Sequence, residues 1–99
     1  MDPTTDVSKL TTTTRGLLQQ IVEQLVDDSS AVKVASLEGT QATIFEISVS
    51  AGDIRRVIGR RGRTADALRE LLMSMGGKHA RRYMLEVVEP TGRMTHVAI

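Results

Sequence analysis

Within "DIRRVIGRRGRTADALRELL", Asp53 to Leu72, five arginines fall in the nine positions from Arg55 to Arg63. Gly59 and Gly62 bracket Arg60 and Arg61, while Arg55, Arg56 and Arg63 lie within one helical turn of them. Glycine permits a left-handed φ and lets a ligand approach the backbone with no Cβ in the way. Arginine presents a planar fork of donors that matches phosphate oxygens two at a time. Together they suit an anion, above all a phosphate. If a helix opens at about Gly62, its first N–H groups have no intrahelical partners and its dipole adds positive potential at the same place. A plainer account is a glycine-capped turn with solvated arginines. Residue types alone leave both open.

The charge distribution adds weight to a local site. Residues 53–82 have a balance of +6 and the rest of the chain −5, although the net charge is only +1. One basic third in a near-neutral chain points to a local anion site rather than a generally adhesive surface. Other chemistries find little support. The chain has no cysteine, which excludes disulfides, thiol catalysis and cysteine metal sites and fits a reducing compartment. His79 and His96 stand 17 residues apart, no Ser-His-acid set is apparent, and no metal-ligand spacing occurs. Asp66 and Glu70, with Arg63 and Arg69 close by, read as a salt-bridged helix surface rather than an acid–base pair. We therefore expect no enzyme, no cofactor and no metal.

Two glycine-turn rivals also fit poorly. A nucleotide-triphosphate loop, G-x-x-x-x-G-K-[ST], needs Gly where Val57 stands and Lys where Arg63 stands, and it follows a strand directly. A helix-turn-helix DNA reader also turns at glycine, but the first helix here has only about six residues and strands bracket the pair.

The elements that hold this turn are legible from periodicity. Residues 1–13 are polar and Thr-rich and read as a flexible tail. From Thr14 to Asp28, Leu17, Leu18, Ile21, Val22, Leu25 and Val26 mark one face of a helix. Val32 and Val34, then Phe45, Ile47 and Val49, alternate as strands, with Ile44 on the opposite face. "LEGTQ" between them suggests a hairpin whose Gly39 takes a positive φ. Asp53 fits an N-cap whose carboxylate accepts from the first turn. Ile54, Val57 and Ile58 follow at helical spacing. After the break, Ala65, Leu68, Leu71, Leu72 and Met75 mark a second amphipathic helix that Gly76 and Gly77 stop. The last strand is "RRYMLEVV", with Tyr83, Leu85 and Val87 on one side. Pro90 argues against further regular pairing, so 91–99 reads as a tail.

The order is α-β-β-α-α-β. It implies an α+β fold in which a three-stranded mixed sheet carries three helices on one face, with the second and third strands parallel across a right-handed crossover. The other face carries Lys33, Ile44, Glu46, Met84, Glu86 and Val88. The 99 residues suit one domain, 14–90. No apolar run approaches the roughly 18 residues of a membrane helix. "MDPTTDVSKL" also lacks the basic and apolar regions of a signal peptide, so a cytoplasmic location without a membrane partner is expected.

"VIGRRGRTADAL" in this element order resembles the KH-domain signature, an aliphatic residue, Ile, Gly-x-x-Gly and a further aliphatic residue. The stretch from about Leu17 to Glu89, including "LLQQIVEQLVDD" and "LEGTQATIFEISVS", is similar to small stand-alone bacterial KH proteins of the KhpA type, with the type II KH fold. The resemblance implies a single-stranded RNA-binding module in which the Gly-x-x-Gly loop clamps about four nucleotides. It assigns phosphates to Gly59, Arg60, Arg61 and Gly62, with Arg55, Arg56 and Arg63 beside them. Ile54, Val57, Ile58, Ala65 and Leu68 would line or support an aliphatic base groove. "GGKHARR" would border the site as the variable loop, making Lys78, Arg81, His79 and Arg82 candidate contacts. Proteins of this type commonly carry glycine where Arg55 stands. Phe45 and Tyr83 are the only aromatics, which suits an aliphatic groove better than the stacking platforms of RNA-recognition-motif or OB folds. The family further implies an RNA-chaperone or post-transcriptional role, and a homodimer or a heterodimer with a larger KH-domain protein. The alternative is a protein-interaction adaptor that acts mainly through such pairing.

Overall fold

Helix α1 spans Val7–Glu23 and turns a face of Thr11, Thr14, Leu18 and Val22 into the protein. The computed structural model describes residues 7–88 and the backbone of 94–96. The helix thus begins seven residues before Thr14, and the expected tail is corrected over 7–13; residues 1–6 lie outside the described residues. Threonine is a modest helix former, so its weak local preference masked this turn. Packing outweighs it, because Thr11 and Thr14 are only 3% and 5% exposed. Two side chains tether the helix to the neighbouring strand: Arg15 donates to Ser36 Oγ at 3.2 Å and Gln19 to the Val32 carbonyl at 2.9 Å. α1 also stops earlier than Asp28. Gln24 and Leu25 donate to the carbonyls of Ile21 and Val22, which tightens the last turn into 3-10 geometry.

Strands β1 (Lys33–Glu38) and β2 (Ala42–Ser48) form the expected antiparallel hairpin. Its turn works differently from expectation. Positive-φ glycines occur at Gly59 and Gly62 among the described residues, not at Gly39. Gly39 instead closes the hairpin by donating to the Ala42 carbonyl at 2.7 Å. A Cβ on Gly39 would lie 3.2 Å from that same oxygen, so close approach explains the residue.

After β2 come α2 (Ile54–Ile58), α3 (Arg63–Gly77) and β3 (Arg82–Val88). β3 runs parallel to β2, with Ala42 opposite Arg82 and Ser48 opposite Val88. Thr43, Phe45 and Ile47 from β2, and Tyr83, Leu85 and Val87 from β3, are buried on the face that the helices cover. The rings of Phe45 and Tyr83 meet edge to face at 5.1 Å. Leu18, Val22, Val57, Ala65, Leu68 and Leu72 complete this core from the helices. Gly76 and Gly77 lie inside the last turn of α3 rather than after it. A Cβ on Gly76 would stand 2.6 Å from the Arg81 carbonyl oxygen, so the glycine lets the turn into β3 pass close to the helix.

The sheet has a fourth strand. β4 (Met94–His96) pairs antiparallel with β3, Val88 opposite Met94 and Glu86 opposite His96. The expectation that regular pairing ends at Pro90 is therefore corrected for 94–96. Proline removes only its own donor, and a strand can begin a few residues later. The remaining tail residues, 91–93 and 97–99, lie outside the described residues. On the sheet face away from the helices, Glu86 is only 8% exposed.

Candidate nucleic-acid interface

The turn between α2 and α3 is built from unusual backbone. Gly59 has φ 81° and ψ 169°, Gly62 has φ 75°, and Arg61 between them has φ 57°. A Cβ on Gly59 would run into the side chain of Thr64 and stand 2.8 Å from its backbone nitrogen, so glycine is required by conformation and by space. Gly62 meets nothing within 4 Å, so only its φ requires glycine. Arg61 adopts the left-handed region without that freedom, at a cost on the order of 1–2 kcal/mol. Such local strain is a mark of sites whose geometry serves something other than stability.

The turn also uses donors that were expected to be free. Gly62 N–H donates to the Gly59 carbonyl at 3.1 Å, and Arg63 N–H to the Arg60 carbonyl. Both are bonds from residue i+3 back to residue i, closed across the left-handed Arg61 and Gly62 before α3 begins. The grip on an anion thus shifts toward the side chains. Arg55, Arg60, Arg61 and Arg63 are exposed and enter no ion pair among the described residues. Arg55, Arg56, Ile58, Gly59 and Arg60 line a cleft of about 830 Å³ together with Ala51 and Gly52. The last two were not singled out in the sequence, where nothing in their type marks them.

Arg56 differs from its neighbours. It reaches Asp27 at 3.0 Å and Asp53 at 3.3 Å, so two carboxylates already balance its charge. Asp53 is the expected N-cap by position but its side chain accepts from no backbone N–H of α2, which corrects the expected partner. Its carboxylate accepts instead from the backbone N–H of Asp27 at 3.1 Å and of Asp28 at 3.0 Å, and from Ser50 Oγ at 3.0 Å. The Asp28 and Asp27 N–H groups chiefly hold its carboxyl below the usual range, against the opposing effect of burial, with Ser50 and Arg56 assisting. Asp53 thereby ties the start of α2 to the segment after α1 and sets where the cleft begins.

The aliphatic candidates divide in two. Val57 and Ala65 are fully buried and Leu68 is 7% exposed, so they support the site from the core. Ile54 and Ile58 are half-buried against that core, and Ile58 reaches the cleft wall.

The structure does not bring the 78–82 candidates to this turn. They follow the far end of α3, whose 15 residues rise ~22 Å at 1.5 Å each. Lys78, His79 and Arg82 are exposed there. Arg81 is not a surface contact, which corrects its expected role. Its guanidinium is buried and donates to the carbonyls of Thr40 at 3.1 Å, Gly39 at 3.0 Å and Ala42 at 3.1 Å, and to Thr43 Oγ1 at 2.9 Å. It locks the hairpin turn to the start of β3. Farther along α3, Arg69 pairs with Asp66 at 3.1 Å, as expected of a salt-bridged helix surface.

Comparison with known proteins agrees with this architecture. Residues 15–87 match the family model described as KhpA/KhpB, KH domain. The chain is 44% identical over 73 residues to RNA-binding protein KhpA of Borreliella burgdorferi, covering 74% of this chain and 89% of the relative. It is 39% identical over 72 residues to RNA-binding protein KhpA of Chlamydia pneumoniae, covering 73% and 92%. With RNA-binding protein KhpA of Aquifex aeolicus it shares 33% over 75 residues, covering 76% and 95%. No solved structure matches it. Three helices on one face of a mixed sheet, with β2 parallel to β3, follow the type II KH arrangement. By its matched domain, its fold and these relatives, the chain belongs to the KhpA/KhpB KH-domain family.

Proposed function

We propose that this chain is a single-stranded RNA-binding module that clamps about four nucleotides at the Gly59–Gly62 turn. One observation carries the reading. A left-handed backbone at Gly59, Arg61 and Gly62 presents four exposed arginines, Arg55, Arg60, Arg61 and Arg63, that enter no ion pair among the described residues, and Arg55 and Arg60 line a cleft at that turn. The relatives' names, which describe RNA-binding proteins, support it. Arg60 and Arg61 contact the phosphates at the tip, with Arg55 and Arg63 alongside, and Arg56 contributes less because Asp27 and Asp53 hold it. Ile54 and Ile58 offer the aliphatic wall for bases. Lys78 follows the far end of α3, ~22 Å along the helix from the turn, and serves the outer part of a bound strand.

Three or four neutralised phosphates give a log–log salt slope of about −2 to −3 on a single strand. So small a site binds weakly, and pairing two domains raises avidity through effective concentration. A homodimer, or a heterodimer with a larger KH-domain protein, fits that need, as does an RNA-chaperone or post-transcriptional role in the cytoplasm. The adaptor reading draws on Leu37 and Met84, which stand exposed on the sheet face away from the helices. RNA crosslinking in cells, comparing wild type with the Arg60→Asp/Arg61→Asp double variant, separates the two. Loss of crosslinked RNA with retained fold supports the clamp. Undiminished crosslinking overturns it in favour of the adaptor.

A further inference from the structure

A groove of about 890 Å³ lies between α1 and the segment that joins α3 to β3, at the end of α3 away from the Gly59–Gly62 turn. Lys9 of α1 and Lys78 and His79 after α3 stand exposed at its rim. Among the described residues no carboxylate lines it.

Two buried side chains in its wall are left with polar groups unused. Tyr83 is 2% exposed and Arg81 9%, and both line the groove. Tyr83 Oη and Arg81 Nε have no hydrogen-bond partner. Buried polar groups are nearly always paired, so two orphans at one groove call for a cause. The charge on Arg81 is also unanswered. Its four bonds all end on uncharged oxygens, and it enters no ion pair among the described residues. A buried guanidinium without a counter-charge is costly. A phosphate meets both needs, since it brings negative charge and several acceptor oxygens. The apolar part of the groove is short and rests on Leu10 and Met75. That suits a ring better than an acyl chain, and methionine sulfur packs favourably on aromatic rings. Thr13 adds an exposed hydroxyl for a sugar. The volume falls within the usual range of small-ligand sites.

We propose that this groove is a second ligand site, separate from the Gly59–Gly62 turn, that takes a free nucleoside monophosphate. Lys9, His79 and the two buried donors hold the phosphate, and the base lies along Leu10 and Met75. The site needs none of the tip arginines, so it stands or falls independently of the RNA clamp.

Site-resolved NMR of the full chain titrated with AMP tests this. The Arg81 Nε–H signal and the amides of Lys9 and Gly77–Ala80 should shift along one saturating curve. Inorganic phosphate should bind at least about fivefold more weakly, and adenosine should leave these signals in place. Lys9→Glu should weaken AMP binding about tenfold or more. Tyr83→Phe should weaken it about threefold or more while leaving the thermal midpoint unchanged or raised, because it deletes an unpartnered hydroxyl. A lowered midpoint would show that the hydroxyl is already bonded in the free protein and overturns the proposal. So does adenosine or phosphate binding as well as AMP, or AMP shifts confined to residues 55–63. A response to a 5′-phosphorylated tetranucleotide with none to AMP assigns the groove to an RNA end and overturns it as well.

Discussion

Gly59 and Thr64 share a space that admits only one side chain. A Cβ on Gly59 would stand 2.7 Å from the Thr64 Cβ. The first glycine of the turn is thus fixed by its neighbour as well as by its own φ of 81°. The second, Gly62, is fixed by φ alone. Gly59→Ala should cost well above the 1–2 kcal/mol of a left-handed alanine, and Gly62→Ala should stay near that value. Urea unfolding of both variants measures the gap. Equal losses would show that Thr64 yields freely.

Arg61 should behave in the opposite sense. Its backbone sits at φ 57° and ψ 26°, where glycine rests without strain. Arg61→Gly trades that strain against a more flexible unfolded chain, so stability should hold or rise by up to about 1 kcal/mol. RNA affinity should nevertheless fall. A stabilised but weaker binder would show that the residue serves the ligand. A clear loss of stability would assign Arg61 to the fold.

The arginines at the tip can be counted by salt. Each phosphate contact on a single strand contributes a slope of about −0.7. Arg60→Ala/Arg61→Ala should therefore flatten the log–log slope by about 1.4, and Arg56→Ala by much less because Asp27 and Asp53 already balance it. Fluorescence anisotropy with a short oligonucleotide across several salt concentrations resolves the difference.

Asp53 predicts an acid sensitivity of known sign. Its carboxyl is held below the ordinary 3.8, first by the Asp28 N–H, then by that of Asp27. A lowered folded-state value means that the ionised form stabilises the fold above the ordinary value, and that this contribution is lost as pH falls through the lower, folded-state value. Asp53→Asn should lower stability at neutral pH and narrow its difference from wild type in strong acid. Chemical unfolding at pH 7 and below pH 3 tests this. A gap that does not narrow would detach Asp53 from the acid response.

Arg81 should prove structural. Its four bonds to residues 39–43 satisfy three carbonyls around the hairpin turn. Arg81→Lys, which keeps the charge but loses the fork, should cost about 2 kcal/mol or more in unfolding experiments. RNA affinity of the folded fraction should stay within about twofold of wild type, in contrast to the tip arginines. A selective loss of binding would return Arg81 to the interface.

These residues show where reading a sequence succeeds. The apolar spacings at Val57, Leu68 and Leu72 and the alternation at Phe45, Ile47, Leu85 and Val87 report a period that only a helix or strand produces, so the core and the turn were legible. The start of α1 was not. Thr11 and Thr14 look polar, and only contact with the sheet reveals that they pack. Asp53 shows the same limit, because a carboxylate before a helix has the right type for a cap whichever donors it finally meets. Arg81 looked like its basic neighbours. Its acceptors lie about forty positions earlier, a separation that local pattern cannot bridge. β4 was hidden by reading Pro90 as an end to pairing.

That long separation has a consequence for how the chain folds. β2 and β3 pair residue for residue at an offset of forty, Ala42 with Arg82 through Ser48 with Val88. Their contacts form only after the intervening loop has closed, so this pairing carries a larger loop-closure cost than the local contacts of the helices and the hairpin. Arg81 stands at the closing point, one residue before β3, with its fork on the carbonyls of 39, 40 and 42. The Gly59–Gly62 turn lies within the loop being closed, so its two helices are brought together as an arginine buried far from the turn meets the hairpin.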